Sequence, residues 1–229
     1  MDESSNLECS LVLSWGDTSL GFINQSNKNM VVFILYCKAD LEGIESLSLL
    51  KDGANLCFSV RNPLDQAETR EKIVVDPAVL HNSAIATNEK HRDETPNHFA
   101  MKWRDATSRS TLRILGAASE VVQDGEVNEM DRRTKPNKKT SAMSNELADA
   151  LARVRDMKGE DSGNLVPLLA IDCNGLEPYA FHPMGDEFAV VAKQGGKKFD
   201  AVDLSDGDWA EYDISTGSVS ITNFQSEFQ

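Results

Sequence analysis

The sequence has few cysteines, and none of them stand in pairs. Cys9, Cys37, Cys57 and Cys173 are the four thiols among 229 residues, and no two of them form a CxxC motif. A disulfide framework or a zinc knuckle needs more closely spaced cysteines. We therefore expect reduced thiols, and with them a cytoplasmic and/or nuclear protein.

Long apolar segments and a basic leader are also missing. The longest apolar run covers residues 30–37, whereas a membrane helix needs about 20 apolar residues. The first five residues are acidic and polar, so no secretory signal is expected at this N-terminus. We expect no membrane association.

Basic residues are lacking after Lys198, whereas acidic residues continue to the end of the chain. The formal net charge is −14, and a field of that sign repels phosphate backbones. The exception is the stretch 131–158, which is locally basic. A nucleic-acid partner is not expected, and a basic protein partner is.

Motifs that carry catalysis are absent as well. The four histidines, His81, His91, His98 and His182, form no HExxH or HxH pattern, and no GxxxxGK[ST] loop is present. The glycines that precede Lys197 and Lys198 are typical of a hairpin turn. The sequence therefore predicts no enzyme and no cofactor.

What the chain does have is a series of short apolar strands. Residues 30–36, 55–61, 72–76, 98–103 and 110–115, and later 166–171, 188–192, 199–204 and 218–221, are rich in branched and aromatic side chains and are bounded by Gly, Pro, Asn or Asp. This pattern predicts an all-β fold. We interpret it as two β-sandwich or barrel-like halves, 6–118 and 165–229, on either side of a linker, 119–164.

The linker is predicted to be mobile and to contain one short helix. Its first part is charged and broken by Pro136. Met143, Leu147, Leu151 and Val154 then recur at helical spacing, and the helix is predicted over residues 144–158. This apolar stripe favours a helix docked on its own domain, between Ser144 as N-cap and Gly159 as stop.

The C-terminal region resembles a known family in the order and spacing of its motifs. These motifs are Cys173-Asn174-Gly175-Leu176-Glu177-Pro178-Tyr179-Ala180-Phe181, Phe199-Asp200-Ala201-Val202-Asp203-Leu204, Asp208-Trp209-Ala210-Glu211-Tyr212-Asp213 and Ser218-Val219-Ser220-Ile221. Together they resemble the eukaryotic CXXC-motif-containing zinc-binding proteins. The resemblance implies a small intracellular β-protein in which two CxxC pairs hold one structural zinc.

The resemblance places the two metal-binding pairs on residues that are mostly not ligands. The first pair falls on Cys37 and Asp40, and the second on Trp103 and Ala106. Four Cys or His ligands are usual for structural zinc. We therefore expect apolar packing at Trp103 and Ala106 in place of the metal, with Cys37 and Asp40 as the residual metal candidates.

The acidic C-terminal segment supplies the candidate binding residues. Asp206, Asp208, Trp209, Glu211 and Tyr212 combine carboxylates with two aromatics, a combination suited to a basic protein surface. The leading hypothesis is a non-enzymatic interaction module, an adaptor or complex subunit. The alternatives are a zinc protein with a rearranged site around Cys37 and a loop histidine, and an enzyme acting in a cleft between the halves.

Overall fold

The all-β fold expected from the sequence is confirmed. The computed structural model describes residues 31–49, 53–81, 96–117, 148–149 and 151–229. Its strands, in chain order, are β1 (Val31–Glu42), β2 (Ile44–Leu49), β3 (Leu56–Arg61), β4 (Thr69–Val75), β5 (Phe99–Met101), β6 (Ser110–Ala117), β7 (Met157–Lys158), β8 (Val166–Asn174), β9 (Glu177–Phe181), β10 (Phe188–Ala192), β11 (Lys198–Val202), β12 (Trp209–Asp213) and β13 (Gly217–Phe228).

The largest sheet combines strands from both sides of the predicted linker. Its order is β12-β13-β1-β8-β6-β5, and β1 pairs antiparallel with β13 on one edge and β8 on the other. The regions 6–118 and 165–229 are therefore not two separate β units. The physical reason is that β1 needs hydrogen-bonding partners on both edges, and both partners come from the C-terminal region.

The two smaller sheets mix the same regions. One has the order β11-β10-β2-β7 and the other β4-β3-β9. β2 continues directly from β1 through Gly43, and β3 pairs with both β4 and β9. Each of the three sheets thus has an N-terminal strand in its interior, β1, β2 or β3, with a C-terminal strand directly beside it.

One hydrophobic core joins the sheets. β1 places Leu35, Cys37 and Ala39 inward at alternating positions, and β13 does the same with Val219 and Ile221, as expected for strands with one buried face. β3 differs, because five consecutive residues, 56–60, are buried. Both of its faces are therefore covered.

Aromatic rings connect the end of β13 to the smaller sheets. Phe58 of β3 lies 5.8 Å from Phe181 and 5.9 Å from Phe228, measured between ring centroids, and Phe188 lies 5.3 Å from Phe224. Tilted and edge-on ring pairs at such distances are favourable. The C-terminal strand therefore closes the core.

The helix predicted over 144–158 ends before residue 158 in the structure. Residues 148–149 and 151–153 are helical, whereas Met157 and Lys158 form β7, which pairs with β2. Gly159 begins a 3₁₀ turn and does not end the helix. The apolar stripe continues into strand β7 because the buried Met157 has a place opposite Leu47. Ser144 lies outside the described residues.

The predicted mobile linker is also shorter than 119–164. The helix packs on β6. Leu151 Cδ2 lies so close to Gly116 that a Cβ at this glycine would be 3.7 Å from it, and Val154 is buried. The Arg155 guanidinium donates to Asp161, and Gly163 N donates to Ala39 O. Residues 151–164 are thus part of the packed structure, and 119–147 lie outside the described residues.

No helix within the described ranges is both long enough and apolar enough to span a bilayer.

Candidate functional site

The metal candidates Cys37 and Asp40 lie on opposite faces of β1. Cys37 is fully buried in the core and pairs with Val166 and Ser226, and its burial raises the pKa of the thiol. Asp40 follows a register shift and is exposed, where its Oδ2 accepts a 2.7 Å hydrogen bond from Asn223 Nδ2. The two side chains do not converge.

The second pair of positions lies at the other end of the sheet. Trp103 donates its indole Nε1–H to Gly175 O at 2.7 Å, just beyond the end of β8, whereas Cys37 pairs with Val166 at its start. β8 has 9 residues, which is about 30 Å at 3.3 Å per residue. Cys37 and Asp40 therefore do not form one site with Trp103 and Ala106.

The segment that faces the Trp103–Ala106 turn is the loop 62–68, which joins β3 to β4. The backbone N–H of Arg104 donates to Glu68 Oε1 at 2.9 Å, and Asn62 Nδ2 donates to Glu68 Oε2 at 2.9 Å. These hydrogen bonds hold the pKa of the Glu68 carboxyl below its usual value, the contribution of Arg104 being the largest. We refer to residues 62–68 and 103–106 as the two-loop junction.

The residues of the junction do not fit a zinc ion. The two loops contain no Cys or His, which are the ligands that structural zinc sites use. Trp103 is buried in the core and Ala106 packs against it, so apolar packing occupies these positions, as the sequence predicts. Among the residues that the structure describes, no group of three or more His, Cys, Asp or Glu side chains is placed to hold a metal.

A second polar cluster was missed by sequence reasoning. The buried Ser59 hydroxyl lies 2.7 Å from His182 Nε2 and 2.8 Å from Glu71 Oε2, and it accepts from Lys72 N at 3.2 Å. Tyr179 donates its hydroxyl to the other oxygen of Glu71. These residues come from β3, β4 and the end of β9, and no sequence motif marks them.

The single hydroxyl proton of Ser59 decides which groups donate and which accept hydrogen bonds in this cluster. Ser59 has one hydroxyl proton, which goes to the Glu71 carboxylate, so His182 must donate its Nε2–H to Ser59. Hydrogen bonds from Tyr179 and Ser59 lower the pKa of Glu71, and the bond to Glu71 raises the pKa of Tyr179. A histidine that donates to serine does not act as its general base. The cluster therefore fixes the β3–β4–β9 sheet and does not activate Ser59.

The predicted partner-binding residues lie at the outer edge of the largest sheet. β12 pairs with β13 on one side only, and within the described chain no strand pairs with its other edge. Tyr212 is 70% exposed and Ile214, in the following turn, is 95% exposed. Glu211 and Asp206 are also exposed. We call residues 206–214 the β12 surface.

Two of the five predicted residues have structural roles in the β12 surface. Trp209 is half-buried, with its ring 5.5 Å from Phe199. Asp208 accepts a 2.9 Å hydrogen bond from Asn223 N through Oδ1. The structure thus brings the predicted residues together, with Asp206, Glu211 and Tyr212 free to face solvent. Ile214 was not predicted from the sequence. The one available sign was an apolar residue directly after the acidic segment that forms β12.

One carboxylate at the end of the β12 surface is paired with a lysine. Lys197 forms an ion pair with Asp213, which also accepts a hydrogen bond from Ser215 N at 2.8 Å. These contacts, of which the bond from Lys197 contributes most, hold the pKa of Asp213 well below its usual value. Asp206, Asp208 and Glu211 are exposed, and residues 206–214 contain no Lys or Arg, so the segment itself is negatively charged.

The chain is similar in sequence to two curated proteins. The chain is 39% identical over 70 residues to a UPF0587 protein of Drosophila melanogaster, covering 30% of this chain and 42% of that protein. It is 29% identical over 75 residues to the CXXC motif containing zinc binding protein of Homo sapiens, covering 33% and 46%. The chain thus spans less than half the length of either relative.

A solved structure, a hypothetical protein from Plasmodium falciparum, matches with a TM-score of 0.61 at 18% identity, over 87% of this chain and 99% of that chain. At this identity the similarity supports the fold alone. The family resemblance predicted from the C-terminal motifs is confirmed by the profile described as "CXXC motif containing zinc binding protein, eukaryotic", which matches residues 34–229. The chain belongs to this family.

Proposed function

We propose that this chain is a non-enzymatic protein-interaction module, an adaptor or complex subunit, that binds a basic protein segment through the β12 surface. The observation that carries the proposal is the edge of β12 with which no strand of the described residues pairs, next to exposed Glu211, Tyr212 and Ile214. An unpaired edge offers backbone N–H and C=O groups to an added strand. The acidic side chains beside it select lysine and arginine on that strand.

Two further observations support the proposal. The Ser59 cluster holds its histidine as a donor, so it offers no activated nucleophile. The thiols of Cys37, Cys57 and Cys173 are buried and unpaired by disulfides, which fits a reducing compartment such as the cytoplasm or nucleus. Neither membrane nor nucleic acid is part of the proposal.

The proposal is tested with charge reversal on the β12 surface. The probe is an extended peptide of alternating Lys and Val, labelled with a fluorophore, whose binding is followed by anisotropy at low and physiological salt. We expect Asp206→Lys with Glu211→Lys to weaken binding at least about tenfold, since each close charge pair contributes about 1 kcal/mol or more. Glu45→Lys, an exposed position on β2, is the matched control.

The location of binding is tested separately by NMR. We expect peptide-induced shifts confined to residues 206–214 and to β13, and loss of these shifts in Tyr212→Ala combined with Ile214→Ser. Equal affinity for the reversed variant and the wild type would contradict the proposal. So would shifts centred on another sheet edge, because the β12 edge would then not be the binding strand.

A further inference from the structure

We infer that the two-loop junction is closed by the Glu68 carboxylate without a metal, in a family described by its zinc binding. The inference is independent of the proposed interaction function. The second CxxC position of the family falls on Trp103 and Ala106, and another segment of the chain lies opposite this turn. That segment is the loop 62–68.

Both loops hold two positions at the spacing of a CxxC pair. Asn62 and Asp65 stand three positions apart, as do Trp103 and Ala106. Ala106 N donates to Trp103 O at 3.3 Å and closes that turn, whereas the loop 62–68 is closed by bonds from Asn62 N to Glu68 O and from Glu68 N to Asp65 O, both at 2.9 Å. Two loops face to face, each with such a pair, are the arrangement in which four thiols enclose one zinc ion.

The side-chain oxygen of Asn62 and one oxygen of Asp65 accept hydrogen bonds within their own loop. Asn62 Oδ1 accepts from Leu64 N at 3.0 Å, and Asp65 Oδ1 accepts from Ala67 N at 3.1 Å. On the facing turn, Trp103 donates its indole N–H to Gly175, and the Ala106 side chain has no ligand atom. The four positions therefore do not supply the four Cys or His ligands that a structural zinc ion needs.

Glu68 makes the connection that a metal would otherwise make. One carboxylate oxygen accepts from the side chain of Asn62, and the other accepts from the backbone of Arg104. The nearby Arg104 and Arg70 also stabilise the ionised carboxylate. A single carboxylate with two N–H donors and cationic neighbours needs no divalent ion, whereas four thiolates do.

The test follows the amide proton of Arg104 in the full chain by hydrogen exchange and NMR. In Glu68→Gln one acceptor oxygen becomes an NH₂ donor. We expect the Arg104 amide to exchange at least about tenfold faster, because a hydrogen bond to a charged group contributes about 1.5 kcal/mol or more. Glu45→Gln, an exposed carboxyl on β2, is the matched control and should leave this exchange rate unchanged.

A second measurement addresses the metal directly. Protein purified without a metal-affinity tag is assayed for zinc, and its thermal unfolding is recorded with EDTA and with added zinc. We expect substoichiometric zinc and the same melting temperature in both conditions. Stoichiometric zinc with a melting temperature lowered by EDTA would overturn the inference, and so would an unchanged Arg104 exchange rate in Glu68→Gln.

Discussion

The indole Nε1–H of Trp103 and the carbonyl oxygen of Gly175 are joined by a hydrogen bond of 2.7 Å. The bond connects the turn after β5 to the turn between β8 and β9. Ser110 donates its hydroxyl to the same oxygen at 2.8 Å. The buried Trp103 ring, through its indole hydrogen bond, therefore fixes the position of the β8–β9 turn at this end of the sheet.

Trp103→Phe is expected to lower the free energy of unfolding by about 1 to 2 kcal/mol, because a smaller aromatic ring replaces the buried indole and one hydrogen bond is lost. Trp103→Ala is expected to lower it by about 3 to 5 kcal/mol, since a large buried ring is removed. Urea unfolding measures both. A loss of equal size in the two variants would show that the hydrogen bond, and not the packing, dominates.

Gly43→Ala is expected to destabilise the protein more than Gly53→Ala. Both glycines have positive φ angles, +68° and +79°, so alanine costs about 1 to 2 kcal/mol at either position. A Cβ at Gly43 would also lie 2.6 Å from the backbone oxygen of Ser218, whereas nothing lies within 4 Å at Gly53. Urea unfolding of the two variants isolates this clash, and equal losses would contradict it.

Stability is expected to fall in acid partly through Asp213. Its pKa is lower in the folded state than in the unfolded chain, because Lys197 and Ser215 stabilise the carboxylate. The contribution is therefore complete above the unfolded pKa of about 3.9 and is lost as pH falls below that value. Asp213→Asn should be less stable at pH 7 and should approach the wild type near pH 2.

Thermal unfolding from pH 7 to pH 2 measures this convergence. Asp206→Asn, which neutralises a carboxylate on the same surface and leaves the Lys197–Asp213 ion pair in place, is the control. Parallel curves for Asp213→Asn and the wild type would contradict the role of the Lys197 ion pair.

The thiols of Cys37 and Cys173 are expected to resist labelling in the native protein. Burial raises the pKa of both groups, and only the exposed thiolate reacts. In a Cys9→Ser background, reaction with a disulfide reagent at pH 8 should be slow and should accelerate in urea together with unfolding. Rapid native labelling of either thiol would contradict the packed position of β1 and β8.

The strands could be predicted from the sequence because their signals are local. The alternation in 55–61 and the apolar run 188–192 gave strands whose bounds nearly match β3 and β10. β2 and β12 were not predicted as separate strands. β2 is half polar and β12 is short and carries two carboxylates, so the apolar signal of each is weak. They become strands because β10 and β13 offer them hydrogen-bonding edges.

Only one of the two loops of the junction could be predicted, because the contact between them is long-range. Trp103 and Ala106 were found from the resemblance, whereas the opposite positions were assigned to Cys37 and Asp40. Two apolar strands, β1 and β3, both precede a polar segment, and the single thiol of Cys37 favoured the first. Only long-range pairing shows that the loop after β3 faces Arg104, and such pairing leaves no trace in one sequence.

The position of β1 between β13 and β8 affects how the chain folds during synthesis. Ile34 exchanges backbone hydrogen bonds with Gln229 in both directions, at 2.8 and 3.0 Å, so the first described strand is completed by a strand far along the sequence. Contacts at such sequence separation close slowly. During synthesis this edge of β1 stays unpaired until β13 has been made, and a chaperone that shields it during this interval would raise the yield of folded protein.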